Sequence, residues 1–419
     1  MARLRRELNL LSATVFGISV IVGAGIYSLI GAATAIAGSG VWLSFVIAAV
    51  VASFTGLSYA ELSSLYPQAG SSFLYVLKGL KSRMLGFITG WLILFEAMVG
   101  AAAIAIAFAN YFITMVPLPV MAVAFAIIAL FSLINLAGIK ESIRLNNIMF
   151  VMEIGGILFV IVAGFLLGSA HPDLMDFQLP AVLSGAALVF FAMLGFEMIA
   201  SESEEAKDSK HTIPYAILFS IAICAVLYTL FSIASLLLVG PDVLGASTAP
   251  VRDIVLSLLG PYSFIFSIIA LAATGSTILI CLVTASRLAY GMAKGGSLPR
   301  FLTPVNARFC TPHMAVLATF AVAALFLLLP NMVTIAEVTN FAALLAFFLI
   351  NLGLIGARMQ DPDGRRIFRV PFSVANIPIP SVLGALFSLF LITYLSPTSI
   401  MYGIGLVILG GVVHILHRD

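Results

Sequence analysis

Five carboxylates interrupt long apolar runs in a chain that is otherwise poor in charge: Glu61, Glu96, Glu153, Glu197 and Glu337. An unpaired charge buried in an apolar medium is costly. Each acid must therefore cap backbone, pair with a cation, hold an ion or carry a proton. Glu61 and Glu337 lie near the ends of their runs, within reach of interfacial water, which favours a structural role. Glu197 directly follows Leu194-Gly195-Phe196. There its carboxylate can accept hydrogen bonds from exposed helix N–H groups, a capping role that ranks ahead of a gating one. Glu96 and Glu153 lie deeper, with no local backbone break to explain them. For these two, functional coupling and a structural hydrogen bond stand level.

Glycines supply the second kind of chemistry. Gly23-Ala24-Gly25-Ile26 falls about midway along the first apolar run, and Leu194-Gly195-Phe196-Glu197 at a similar depth in the sixth. Glycine costs about 1 kcal/mol relative to alanine in a helix interior, so both places invite unwinding. Matching interruptions in two halves of a membrane chain point to a binding site between inverted repeats. Non-helical backbone inside a bilayer persists only where protein or ligand satisfies its polar groups. Exposed N–H groups at the start of a second half-helix attract a carboxylate, and exposed carbonyls at the end of the first attract an ammonium. A zwitterion is the matching guest. Close packing by small residues is the competing use of the same glycines.

The elements that must position these groups are membrane helices. Hydrophobic residues make up 62% of the 419 and charged residues 9%, with mean hydropathy +1.17. A soluble domain carries about 25% charged residues. Apolar runs long enough to span a bilayer, about 20 residues each, place twelve spans near 11–36, 41–65, 84–113, 119–138, 147–169, 182–201, 213–239, 261–290, 313–329, 333–357, 379–395 and 398–416. With a cytoplasmic N-terminus, only Arg252 of the 20 Lys and Arg residues falls outside, as the positive-inside rule requires. Both termini are then cytoplasmic. The first run resembles a signal peptide, but with eleven spans behind it an uncleaved helix is the better reading. Ser71–Leu85 reads as an amphipathic cytoplasmic helix, Arg252–Leu259 as a short external helix and Leu298–Val305 as an internal one.

Other chemistries find little support. Cys224, Cys281 and Cys310 lack disulfide or zinc spacing. The five histidines lie at span ends or in loops, which argues against a proton relay. Glu202–Lys210 alternates in sign and reads as a solvated helix end without metal-ligand spacing. A net charge of +2 without a basic cluster gives no sign of a nucleic-acid partner. No P-loop, HExxH, DxxD-type metal cluster or nucleophile–base pair is present, so neither an intramembrane enzyme nor ATP-driven transport by this chain is favoured. A channel would show pore-lining repeats and subunit symmetry instead of two broken helices. No cofactor or metal is implied.

Several segments in order resemble the amino acid–polyamine–organocation (APC) transporter superfamily. They are Val22–Gly31 (VGAGIYSLIG), Ser58–Val76 (SYAELSSLYPQAGSSFLYV), Ile134–Ile154 (INLAGIKESIRLNNIMFVMEI), Phe190–Ile217 (FFAMLGFEMIASESEEAKDSKHTIPYAI) and Ser286–Val305 (SRLAYGMAKGGSLPRFLTPV). Gly90–Phe112 looks most like the cationic amino acid transporter branch and its prokaryotic relatives. The resemblance implies an all-α polytopic membrane protein with the LeuT-type 5+5 inverted repeat. In it, helices 1 and 6 are broken, the repeats cover about 11–169 and 182–357, and two additional helices cover about 379–416. One transmembrane domain then fills 1–419. The implied function is secondary active transport of amino acids across the cytoplasmic membrane by alternating access, with monomer and homodimer both open.

Carried over by residue, the resemblance sets the substrate carboxylate against the N–H groups of Gly23, Ala24 and Gly25, with Ile26 behind them. The α-amino group meets carbonyls of Ile21, Phe191, Ala192 and Leu194, next to Gly195. Phe191 takes the place of an aromatic gate, and Cys281 leaves the distal subsite roomier. One departure bears on coupling. Where proton-coupled relatives end an NNxxxxxK motif in lysine, Asn146-Asn147 is followed at that spacing by Glu153. A carboxylate facing the carbonyls of Ser19 and Val22 must be protonated or bind a cation. Thr277 offers a hydroxyl nearby, and Glu96 a like charge that raises the affinity of Glu153 for a proton. Proton-coupled symport with Glu153 as carrier is the expectation. Sodium coupling, or exchange of amino acids or polyamines, comes second.

Overall fold

The computed structural model describes residues 8–416 except 69–70, 138, 205, 307–310, 330 and 363–365, with side chains described outside 24, 71, 139–148, 204 and 257. Arg3, Arg5, Arg6, Arg308, Cys310, Arg365, His417 and Arg418 lie outside the described residues. So do the side chains of Ala24, Lys140, Arg144, Asn146 and Asn147.

In lipid every backbone polar group must be satisfied within the segment, and the apolar stretches are accordingly helical. The first is divided at Gly23 into α1 (Leu10–Val22) and α2 (Ala24–Ala37). Asn9 and Ser12 start α1 with reciprocal backbone-to-side-chain bonds of 2.9 Å. A turn at Gly38–Gly40 leads into α3 (Val41–Leu65). Next come α4 (Ser71–Leu80), α5 (Arg83–Ile113), α6 (Val120–Ala137) and α7 (Ile139–Leu167). The sixth stretch is divided into α8 (Leu179–Val189), a 3₁₀ turn at Phe190–Met193, and α9 (Phe196–Ser201). Then follow α10 (Ser209–Ala246), α11 (Pro250–Leu259), α12 (Phe264–Lys294), α13 (His313–Phe326) and α14 (Met332–Gln360). A hairpin of β1 (Ser373–Val374) and β2 (Ile377–Pro378) precedes α15 (Ile379–Ile392) and α16 (Pro397–Leu416).

Two expected surface helices are corrected. The stretch 71–85 is not one helix: α4 stops at Leu80, Lys81 adopts a left-handed φ of 52°, and Ser82 accepts from the Leu85 N–H (3.2 Å) to begin α5. The stretch 298–305 contracts to a single 3₁₀ turn at Arg300–Leu302, flanked by Pro299 and Pro304, which donate no N–H.

Among the described residues nine helical stretches are long and apolar enough to cross a bilayer, and α1, α13 and α15 are shorter apolar helices. One of the nine, Gly25–Leu65, contains the turn at Gly38–Gly40. The chain is a multi-pass helical membrane protein. α5 is its axis, buried along most of its length, with α12 and α14 packed on it. α7 and α16 instead expose Val151, Val162, Leu166, Met401 and Ile408, apolar surface that suits lipid. The Lys207 N–H donates to the Leu8 carbonyl (3.0 Å), which brings the exit of α9 beside the start of α1. The two broken stretches therefore run in opposite directions past one another.

Glu61, expected near water, is fully buried, and so is Arg358 in the last turn of α14. Arg358 donates through Nε (2.8 Å) and Nη2 (2.5 Å) to the two oxygens of Glu61, and the Arg366 guanidinium forms a second ion pair, its Nε 3.0 Å from Oε1. The Val370 N–H completes the shell at 2.7 Å. The ion pairs offset the cost of burying the Glu61 charge, and they bind α3 to α14 and the segment after it. Glu337 accepts from the Ser396 hydroxyl, the Ser396 N–H (3.3 Å) and the Ser399 hydroxyl (2.7 Å), which fixes the start of α16.

Candidate functional site between the broken helices

Gly23 makes the first break alone: α1 ends at Val22, α2 starts at Ala24, and no side chain caps α2. The second break is longer. After the 3₁₀ turn Leu194 is extended (φ −68°, ψ 154°) and Gly195 is left-handed (φ 113°, ψ −21°), a conformation that glycine adopts without steric cost. The Gly195 N–H donates to both oxygens of Glu197, at 3.0 and 2.9 Å. Glu197 thus caps the break through the N–H of Gly195 itself, at the N-cap of α9.

Both glycines of the first break serve close approach. A Cβ on Gly23 would overlap the Thr277 hydroxyl of α12, and one on Gly25 would overlap the Ala192 backbone. A Cβ on Gly195 would stand 2.8 Å from the Val20 side chain. The breaks are therefore in direct contact, and the packing use of these glycines is realised.

Between them lies a cavity of about 40 Å³ lined by Ile21, Gly25, Glu96, Phe191, Leu194, Gly195, Thr277 and Cys281 from the sequence-derived set. Val20, Ala97, Gly100, Ile104, Met198, Ile280 and Thr339 complete the wall. Most of these are apolar or small and sit mid-helix, where nothing in sequence separates them from core. Glu96 is 4% exposed, and its Oε2 has no hydrogen-bond partner among the described residues. Its electrostatic neighbour is Glu197; Glu153, the expected one, is not among those acting on it.

Glu153 is outside the cavity wall, fully buried where α2, α7 and α12 meet. The Ser276 hydroxyl donates to its Oε1, Tyr27 donates to its backbone carbonyl (2.5 Å), and its Oε2 has no partner among the described residues. The hydroxyl expected at this carboxylate was that of Thr277. The neighbouring Ser276 supplies it, because α12 turns Thr277 toward Gly23 and the cavity. Of the expected ammonium acceptors, the Ile21 carbonyl already accepts from the Tyr228 hydroxyl (2.6 Å) and the Phe191 carbonyl from the Leu194 N–H (3.3 Å). Ser19, Val22, Ile26 and Ala192 are buried beside the breaks. Tyr27, Tyr228 and Ser276 were not singled out from sequence, since hydroxyl-bearing residues in apolar runs give no signal of their own.

Comparison with known proteins fits this geometry. Residues 8–410 match the family model for amino acid permeases. The chain is 31% identical over 439 residues to the branched-chain amino acid permease BcaP of Bacillus subtilis, covering 99% of this chain and 93% of that one. It is 32% identical over 429 residues to a methylthioribose transporter of the same organism, covering 94% and 90%. It is 30% identical over 384 residues to human cationic amino acid transporter 4, covering 85% of this chain and 60% of the longer human protein. The chain belongs to the amino acid permease family, within the amino acid–polyamine–organocation superfamily.

Proposed function

We propose that the protein is a secondary transporter of amino acids across the cytoplasmic membrane, built as twelve spans with a five-plus-five inverted repeat and both termini cytoplasmic. The observation that carries this reading is the pair of oppositely directed helix breaks facing one small cavity. The α2 N-terminus, uncapped by any side chain, offers N–H groups to a carboxylate. Carbonyls of Ala192 and Leu194, with the Glu96 oxygen that has no partner among the described residues, receive the ammonium. The apolar remainder of the wall suits a neutral side chain, with Phe191 closing over it. The cavity has room for about three waters, so Phe191 or α2 must shift to admit an amino acid.

Glu153 carries the coupling proton in this reading. It is buried with one oxygen unpartnered among the described residues and shares the junction of α2 and α12 with Ser276. Uptake into proteoliposomes across a panel of amino acids and methylthioribose tests the assignment, with proton and sodium gradients imposed separately. Accumulation driven by a pH gradient supports it. Accumulation that needs sodium assigns the same carboxylate to sodium, and accumulation of methylthioribose alone overturns the substrate class.

A further inference from the structure

Tyr111, near the end of α5, is fully buried, and its hydroxyl joins two elements that are remote in sequence. It donates to the Tyr27 carbonyl on α2 at 2.6 Å and accepts from the Val251 N–H at the start of α11 at 3.2 Å. That N–H belongs to the first turn of α11, where helix amides have no partner within the helix. Tyr27 is itself fully buried and is held a second time, through its hydroxyl on the Glu153 carbonyl. α7 makes room for that hydroxyl at Gly156, where a Cβ would stand 2.8 Å away. α2 also lies flush against the chain leading into α11: a Cβ on Gly31 would come within 2.8 Å of the Ser247 carbonyl and 3.1 Å of the Leu244 carbonyl.

The half-helix that contributes Gly25 to the cavity wall is thus tied to α11, on the side away from the N-terminus, through one hydroxyl on the central helix. We propose that Tyr111 is a positioning residue of the transport cycle, its hydroxyl locking α2 and α11 into one body so that a shift of α2 on filling the cavity carries α11 with it. This rests on the reading of the cavity as the transport site. A phenylalanine keeps the ring and its packing and removes only the two bonds, so the substitution isolates the lock.

Hydrogen–deuterium exchange on the purified full chain tests it, comparing wild type, Tyr111→Phe and Tyr27→Phe. Without added substrate, exchange across 247–259 should rise about three- to tenfold in Tyr111→Phe, the worth of one hydrogen bond. Exchange in 10–22 should not change, and the melting temperature should fall by no more than the few degrees that two lost hydrogen bonds cause. Tyr27→Phe keeps the Tyr111 bond and should leave 247–259 as in wild type. With an equimolar mixture of L-amino acids, both 24–37 and 247–259 should be protected in wild type, and only 24–37 in Tyr111→Phe. Unchanged exchange at 247–259, a rise spread equally over 10–22, or protection of 247–259 retained in Tyr111→Phe would overturn the lock. Absence of protection anywhere in wild type would instead count against the cavity as an amino acid site, a result separate from the substrate-free arm.

Discussion

Glu153 gives one oxygen to Ser276 and keeps the other free of hydrogen bonds among the described residues. Glutamine in its place keeps the shape and the Ser276 contact and cannot carry a proton. Glu153→Gln should therefore retain exchange of internal for external amino acid and lose accumulation driven by a pH gradient. Accumulation that still follows the gradient in that variant would remove Glu153 from the coupling role. Gly25 makes a different demand. Its Cα–H side meets the Ala192 backbone, which has no flexible side chain to yield, so Gly25→Ala should lower stability by about 1–3 kcal/mol through overpacking. Loss of binding and a lower melting temperature should appear together. A variant that melts like wild type yet binds nothing would point to blocking of a ligand and away from packing.

At the level of elements, the two peripheral acids differ in what they hold. Glu61 pairs with two guanidinium groups in a buried site, whereas Glu337, 9% exposed, fixes the start of α16 through serine hydroxyls. Removing one partner of a buried ion pair costs about 3–5 kcal/mol, and losing a hydrogen bond about 1 kcal/mol. Thermal melting in detergent should show Glu61→Gln falling well below Glu337→Gln; equal shifts would deny Glu61 its role as a clamp. Hydropathy made the apolar helices legible, and paired glycines made the breaks at Gly23 and Gly195 legible. Spacing could not reveal the Glu61–Arg358 pair, whose members are 297 positions apart, nor the left-handed Lys81 that separates α4 from α5. The tyrosine bonds from Tyr27, Tyr111 and Tyr228 were equally hidden, because a tyrosine within an apolar run looks like any other core aromatic until its hydroxyl finds a carbonyl.

For the whole molecule, the central claim is that the two breaks together read a zwitterion. In the proposed reading, amides at the start of α2 meet the carboxylate of the guest, and carbonyls of the second break with Glu96 of the cavity wall meet its ammonium, so both charges of the guest are needed. Counterflow into preloaded proteoliposomes measures this without any assumption about the driving ion. For each amino acid that exchanges, its decarboxylated amine and its deaminated acid are offered under the same conditions. The account predicts saturable exchange of the intact amino acid and at least about tenfold slower exchange of either analogue, the consequence of leaving one set of buried polar groups unpaired. Equal exchange of the amine or the acid with the parent amino acid would contradict it.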